Sequence, residues 1–212
     1  MIKAGGMFDL YGAMKKAIPD GVNNAMNIEG QIMVKAHGAI KYGWDFKNYV
    51  LGTMFYRYIS ENLTNYINAG EQDAGNTDFD YAKMSDADAE EAREGLVEEK
   101  GFFIPPSELF CNVNGRADND ENLNETLSAV FRAIEDSARG TESESDFAGL
   151  FDDLDVNSKK LGATVEQRNN RLVKLMNGVG EMKLGDYKDN TIDAFGDAYE
   201  FLMGMYASNA GK

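Results

Sequence analysis

Three acidic or amide side chains at alternate positions are the first residues whose spacing suggests chemistry. Asp153, Asp155 and Asn157 repeat at the two-residue interval of a calcium-binding loop. Such a loop also needs a glycine at its sixth position and a bidentate glutamate at its twelfth, where this sequence has Ser158 and Thr164. We therefore expect no calcium site. Because the chain has one histidine and one cysteine, we also expect no zinc cluster, and no metal ligand is assigned.

Three other local patterns fail as catalytic or nucleotide-binding motifs. Gly178 and Gly180 follow a predicted helix, whereas a nucleotide-binding glycine loop follows a strand and opens a helix. Cys111 comes just after an apolar run with no base nearby in sequence, which favours a buried structural thiol over a nucleophile. The stretch IPPS contains the Pro-Pro of amino-group methyltransferases, but Ile104 stands where an amide or a carboxylate would bond the target amine. We assign no catalytic and no cofactor-binding residue.

One run of basic residues is the candidate binding site. Residues 156–183 carry six bases and two acids, although the whole chain has a net charge of -15. Three of the bases recur at three-residue spacing, which places them along one strip of a predicted helix. The strip and two preceding lysines are the candidate contact with DNA phosphates or an acidic partner: Lys159, Lys160, Arg168, Arg171 and Lys174. The alternative interpretation is a solvated helix face, because most surface charge runs are of that kind.

The bulk composition limits the class of protein. With a pI near 4.4 the chain is a poor stand-alone binder of DNA, because such binding is driven by neutralising phosphates. A single cysteine excludes an internal disulfide framework and indicates a reducing cytoplasm. The N-terminus lacks the basic, apolar and small-residue regions of a signal peptide. We expect a cytoplasmic protein that does not associate with membranes.

An aromatic-rich stretch predicts the central element of the fold. Residues 44–66 contain seven aromatic side chains, including the only tryptophan. Charged residues interrupt the stretch well before it reaches the roughly 20 apolar residues that a membrane span needs. Apolar residues at helical spacing, the absence of proline and a stop at Gly70 predict a helix over residues 44–68. Because its apolar residues occur at most angles around the axis, we expect this helix to pack on more than one side.

Three further segments predict helices with recognisable ends. Residues 85–100 are rich in acids and begin with Ser85 or Asp86 as the cap. From Asp120 an amphipathic helix presents an apolar stripe. The stripe consists of Leu123, Leu127, Val130, Phe131 and Ile134. Residues 166–180 predict a helix that closes at the glycines near its end, with Val165, Leu172 and Leu175 opposite the basic strip.

The remaining segments have weaker patterns. Residues 101–106 predict an extended piece, because the residue before each proline is driven out of helical geometry. A short helix capped by Ser107 follows, and residues 145–156 and 191–207 predict two more helices. The whole pattern predicts a mainly α fold: a multi-helix orthogonal bundle with at most a short β hairpin, followed by a linking helix.

The aromatic-rich stretch also carries a resemblance to a known family. WDFKNYVLGTMFYRYISENLTNYI resembles a segment near the start of the modification (M) subunit of type I restriction–modification systems. The likeness continues in the same order over about residues 43–212. Its other blocks are GFFIPPSELFCNV, LNETLSAVFRAIEDSA, FAGLFDDLDVNSKKLGATVEQRNNRLVKLMNGV and LGDYKDNTIDAFGDAYEFLMGMYASNAGK.

The resemblance implies a function that composition and spacing do not. In this family a helical N-terminal domain precedes a Rossmann-like domain, and the subunit transfers a methyl group from S-adenosylmethionine to the exocyclic amine of adenine. It assembles with a specificity (S) subunit, a second M subunit and a restriction subunit on DNA. The family's cofactor loop and its Asn-Pro-Pro-Tyr/Phe run are absent here. The resemblance thus implies a chain without cofactor or catalysis of its own, which serves subunit assembly and DNA clamping.

The resemblance also divides the chain. It implies a helical domain over residues 43–183 and a linking helix over residues 184–212 that leads into the absent cofactor domain. Residues 1–42 lack the Ile-Trp pair and the Arg-Gly that relatives carry, and form a divergent N-terminal segment. An alternative function is a stand-alone adaptor or decoy that occupies the S subunit without methylating DNA.

Overall fold

The computed structural model describes residues 44–182, with side chains from Asn48 onward. Within that range the α-helices are α1 Trp44–Asp73, α2 Asp86–Glu91, α3 Arg93–Lys100, α4 Phe110–Arg116, α5 Leu123–Ser137, α6 Glu144–Phe147 and α7 Val165–Gly180. Short 3-10 turns at Tyr81–Lys83, Pro106–Glu108 and Ala117–Asn119 lie between them. Because these residues are mainly helical and include no strand, the predicted mainly α class is confirmed. The predicted linking helix and the divergent N-terminal segment lie outside the described residues.

Helix α1 forms as predicted but is longer. It continues through Gly70, so the prediction that this glycine ends the helix was wrong. The carbonyl of Gly70 accepts a hydrogen bond from the Ala74 N–H at 3.1 Å, which keeps the last turn closed. The chain turns instead at Gly75, where φ is 100° and a side chain would be strained.

Two aromatic residues of α1, Tyr49 and Tyr56, are buried in the core as expected, whereas Phe55 and Tyr58 are only partly buried and Tyr66 is 40% exposed. Tyr56 is fully buried, and its ring meets the rings of Phe110 and Phe131 edge-on at centroid distances of 5.5 and 5.4 Å. Its hydroxyl donates to the Glu108 carbonyl at 2.5 Å. The hydroxyl of buried Tyr49 likewise donates to the Asp155 carbonyl at 2.6 Å. These tyrosines connect α1 to three other parts of the domain.

The acidic segment after α1 forms two helices where one was predicted. Ser85 caps the first of them, α2, and its hydroxyl accepts a hydrogen bond from the Asp88 N–H at 3.2 Å. At the end of α2 the N–H of Ala92 bonds back only three residues, to the Ala89 carbonyl at 3.1 Å, and α3 then begins at Arg93.

Ser107 does not cap α4, which corrects another prediction. Its N–H and its hydroxyl both donate to the Asp86 carboxylate, at 2.8 and 2.5 Å. Helix α4 begins at Phe110, whose N–H donates to the Ser60 hydroxyl of α1 at 3.1 Å. The start of α4 is therefore fixed by a distant helix.

Helix α5 matches its prediction closely, and the five apolar residues of its stripe are all buried. The helix predicted over residues 145–156 is wrong beyond its first turn. Helix α6 ends at Phe147, and Gly149 adopts a φ of 71°, which L side chains rarely tolerate. Turns then carry the chain past Phe151, whose ring stacks on Phe131 at 4.3 Å.

Helix α7 closes the domain by packing against α1, α4 and α5. It buries Leu172, Leu175, Met176 and Val179, each of which removes a large apolar side chain from water and contributes about 1.5–3 kcal/mol. Val165 was expected on this buried face but is 44% exposed, because it lies in the first turn, beyond the neighbouring helices. The helix ends at Gly180 instead of Gly178.

Candidate functional site

The five basic candidates lie on α7 and on the loop of residues 157–163 that precedes it. We call them the basic surface: Lys159, Lys160, Arg168, Arg171 and Lys174. The three lysines are exposed, whereas the two arginines are half-buried. Both arginines donate hydrogen bonds to backbone carbonyls of the preceding loop.

Arg171 ties the loop to the helix. Its Nη1 donates to the Leu161 carbonyl at 2.6 Å and to the Lys160 carbonyl at 3.1 Å. The Leu161 side chain is fully buried and anchors the same stretch of loop in the core. The backbone from which the Lys160 side chain leaves is therefore fixed on both sides.

Arg168 holds the next part of the loop. Its Nη1 donates to the Gly162 carbonyl at 3.3 Å, and its Nε is buried without a hydrogen-bond partner. Gly162 has no room for a side chain, because a Cβ there would lie 2.5 Å from the Gln167 Cβ and 3.0 Å from the Arg168 nitrogen. The loop can follow this path only with glycine at position 162.

A reciprocal cap fixes the start of α7. The Thr164 hydroxyl accepts a hydrogen bond from the Gln167 N–H at 3.2 Å, and the Gln167 Oε1 accepts one from the Ala163 N–H at 3.0 Å. The first bond satisfies one of the donors that a helix start leaves open, and the second ties the N–H before the cap residue to the helix. The cap was not predicted, although the Thr-x-x-Gln spacing at residues 164–167 indicates it.

Three asparagines fix the beginning of the loop. The Asn157 Oδ1 accepts a hydrogen bond from the Asn124 Nδ2 at 2.6 Å, and the Asn124 N–H donates to the Asn169 Oδ1 at 3.0 Å. The Asn169 Nδ2 donates in turn to the Glu121 carbonyl at 2.5 Å. Because this network joins α5, the loop and α7, the loop is held at both ends. No local pattern indicates the network, since its members come from three separate segments.

The other end of α7 is capped by an arginine of α1, an arrangement that we call the Arg57 cap. The Nη1 of Arg57 donates to the carbonyls of Val179 at 2.7 Å, Met182 at 2.8 Å and Gly180 at 3.4 Å. Its Nε donates to the Glu61 carboxylate at 2.6 Å. The side chain is 12% exposed. A cation therefore meets the open carbonyls and the negative end of the α7 dipole. No sequence pattern indicates this interaction.

An open groove of about 240 Å³ lies beside α1. Its walls are formed by Phe55, Tyr58, Phe102, Phe147 and Leu150, with Lys100 and Asp146 at the rim. A cofactor such as S-adenosylmethionine is held in related folds by a loop between a strand and a helix, and residues 44–182 contain no strand. We therefore assign none of the described residues to this cofactor.

With this geometry in place, the domain can be compared with known proteins. Residues 38–179 match the family model described as the HsdM N-terminal domain. The chain belongs to this family. The resemblance seen in the sequence is thereby confirmed, and the basic surface and Arg57 both lie within the matched residues.

Two relatives show how much of a larger protein this chain corresponds to. It is 46% identical over 190 residues to the type I restriction enzyme MpnII methylase subunit of Mycoplasma pneumoniae, covering 86% of this chain and 34% of that protein. The type I restriction-modification system methyltransferase subunit of Streptococcus thermophilus has a similar solved structure, with a TM-score of 0.61 and 25% identity. That likeness covers 94% of this chain and 39% of the solved one. The chain spans about a third of the length of these relatives.

Two further predictions concern single features of the domain. Cys111 is exposed on α4, so the prediction of a buried thiol was wrong. The pKa of its thiol is raised, mainly because its surroundings desolvate the thiolate, which disfavours a nucleophilic role at neutral pH. Over residues 44–182 no helix has the length and apolar content of a membrane span.

Proposed function

We propose that this chain is the subunit-assembly and DNA-clamping domain of the modification subunit of a type I restriction–modification system. The parent subunit transfers a methyl group from S-adenosylmethionine to the exocyclic amine of adenine, and this domain has no catalytic role. Its partners are a specificity subunit, a second modification subunit and a restriction subunit, on DNA in the cytoplasm. The family match over residues 38–179 is the observation that carries the proposal.

The lengths of the relatives support a division of labour within the parent subunit. This chain corresponds to 34% of one methylase subunit and 39% of another, so most of each relative lies outside the aligned region. We assign cofactor binding and catalysis to that remainder. Residues 43–183 form the helical domain in this proposal, and residues 184–212 link it to the catalytic part.

The basic surface is the part of the domain that we propose to bind DNA phosphates. The loop backbone is fixed by Arg171 and by Asn157, so Lys159 and Lys160 extend from a rigid support. Lys174 lies one turn of α7 beyond Arg171 and adds a further cation to the same strip. In a chain of net charge -15 such a local concentration of positive charge supports binding to a polyanion.

Charge reversal of the exposed lysines tests this binding role. The triple variant Lys159→Glu, Lys160→Glu, Lys174→Glu is assembled with its partner subunits, and DNA affinity is measured at several salt concentrations. We expect weaker binding, and a log–log salt slope shallower by about one unit for each phosphate that a lysine no longer neutralises. The two arginines stay intact, because their reversal would release the loop.

Lys83→Glu is the matched control for this experiment. Lys83 is 82% exposed and lies in a 3-10 turn outside the basic surface. Its reversal should leave the salt slope unchanged. A triple variant with the same slope as the wild type would show that the basic surface does not touch DNA.

A further inference from the structure

The Arg57 cap reaches beyond the helix that it closes. Helix α7 ends at Gly180, yet the Nη1 of Arg57 also donates to the Met182 carbonyl at 2.8 Å. A cap that served only the helix would need no partner past its last residue. The bond to Met182 instead fixes the path of the chain as it leaves α7.

We propose that Arg57 is a positioning residue that sets the direction in which the chain leaves α7. The proposal rests on the proposed function in one respect, namely that the catalytic part of the parent subunit follows this exit in the chain.

The cation is itself held in place. Glu61, one turn further along α1, accepts a hydrogen bond from the Arg57 Nε at 2.6 Å. Helix α1 is 30 residues long and packs against α4 and α7, which makes it a firm base for the arginine. The guanidinium therefore has a defined orientation before it meets the carbonyls of α7.

The exit also passes close to α4. A Cβ at Gly180 would lie 2.7 Å from the Asn114 Nδ2, so a larger residue here would require the Asn114 side chain to move. Helix α7 has no basic residue in its own last turn. Among the described residues, the cation that bonds the end of α7 is Arg57 of α1, which lies 122 positions before Val179.

Besides Arg57, the burial of the Met182 side chain and two backbone hydrogen bonds help to hold the exit. The Glu181 N–H donates to the Asn177 carbonyl at 3.0 Å, and the Met182 N–H donates to the Val179 carbonyl at 3.2 Å. Such terminal bonds open easily by fraying. The exchange rates of these two amide protons therefore report directly on the contribution of Arg57.

Hydrogen–deuterium exchange of this chain, followed by NMR, tests the proposal. In Arg57→Met we expect the amides of Glu181 and Met182 to exchange about tenfold faster or more, because the charge-assisted bonds to the exit are removed. In Arg57→Lys we expect an increase of only about two- to threefold, since an ammonium donates to the same carbonyls. Amides in the middle of α5 exchange through unfolding of the whole domain, so they report the loss of global stability separately.

A core variant separates local from global effects. Leu127→Ala removes a buried side chain of α5 and lowers the stability of the whole domain, but should not accelerate the two exit amides selectively. Exit amides in Arg57→Met that exchange no faster than those of Leu127→Ala, a variant whose global stability is lowered by a similar amount, would overturn the proposal. If Arg57→Met does not fold, Arg57→Lys decides by the same comparison.

Activity of a complete modification subunit provides the second readout. There Arg57→Met should lower kcat for methyl transfer about tenfold through misplacement of the catalytic part, while S-adenosylmethionine affinity stays within about twofold. A variant with normal kcat would contradict the orienting role. If the wild-type subunit itself does not methylate adenine, the proposed function fails, and the exchange result in this chain still stands.

Discussion

The two ends of α7 are fixed in different ways. At its N-terminal end, Thr164, Gln167 and two arginines of α7 itself hold the preceding loop, and all of these bonds join residues at most eleven positions apart. At its C-terminal end, Arg57 arrives from α1, more than 120 positions away. The first end organises a surface that presents lysines. The second end connects the helix to the core of the domain and to the chain beyond it.

This difference teaches which end depends on the rest of the fold. The cap and the two arginines at the N-terminal end act locally, so we expect their disruption to release the loop while the other helices persist. The C-terminal end joins α1 and α7, so its disruption should weaken the domain as a whole. The following changes test that contrast, in order of decreasing expected effect.

Arg57→Met should have the largest effect. It removes charge-assisted hydrogen bonds in a setting where the side chain is only 12% exposed, and we expect the free energy of unfolding to fall by about 3 kcal/mol. Urea unfolding followed by circular dichroism measures this. Arg132→Met, at an exposed position on α5, is the control and should change stability by less than about 0.5 kcal/mol. Equal stabilities of the two variants would remove the contrast between the helix ends.

Gly162→Ala should have the next largest effect. The added methyl group would lie 2.5 Å from the Gln167 Cβ, and we expect a loss of about 2 kcal/mol through overpacking. Gly95→Ala is a matched control in helix α3, where a Cβ meets nothing within 4 Å. That control should gain about 0.5–1 kcal/mol, because alanine favours a helix over glycine. Similar results at both glycines would mean that the loop does not need its close approach to α7.

Thr164→Ala should cost about 1 kcal/mol, the usual effect of losing a helix cap. The loss should be visible as a lower urea midpoint with an unchanged m-value, because the rest of the domain stays folded. Thr164→Ser keeps the hydroxyl and is expected to behave like the wild type. If the alanine variant matches the serine variant, the cap does not stabilise α7.

Glu108→Gln should have the smallest effect on stability, and unlike the three changes above it should stabilise the domain. Burial, aided by the nearby Asp86 charge, raises the pKa of Glu108 above its ordinary value of 4.5, and its Oε2 is buried without a partner. The native state therefore binds the proton more tightly than the unfolded state. The stability that this tighter proton binding provides is fully present below a pH of about 4.5. It is lost as the pH rises through the pKa that Glu108 has in the folded state.

At pH 7 the ionised Glu108 carboxylate weakens the fold, so glutamine should raise Tm by about 2 °C. The gain should vanish near pH 4, where the native carboxyl is protonated. Because Glu108 lies outside both ends of α7, this variant separates general electrostatic effects from the removal of a cap. A gain that is equal at pH 4 and pH 7 would contradict the pKa shift.

The same contrast explains how much of the structure could be predicted. Features encoded locally were predicted correctly: the stripe of α5, the Ser85 cap and the burial of Tyr49 and Tyr56 on α1. Ser107 has the right residue type for a cap, but Asp86 takes both of its donors. Gly70 has the right residue type for a helix end, but α1 continues for another three residues. In each failure a tertiary interaction or a neighbouring turn decided the outcome.

In the candidate site, too, the local features were predicted and the tertiary contacts were not. Periodicity alone brought the basic residues of α7 onto one strip and pointed to the lysines of the loop. It did not show that Arg168 and Arg171 each use a guanidinium nitrogen to hold that loop. The Arg57 cap could not be predicted at all, because its partners are backbone carbonyls that converge only after α1 and α7 have packed.

Assembly with a specificity subunit tests the central claim most directly. This chain is mixed with the purified specificity subunit of the same restriction–modification system, and the mass of the product is measured by size-exclusion chromatography with light scattering. A domain that serves subunit assembly predicts a stable complex whose mass is the sum of its subunits. Separate elution of the two proteins at micromolar concentration would contradict the account.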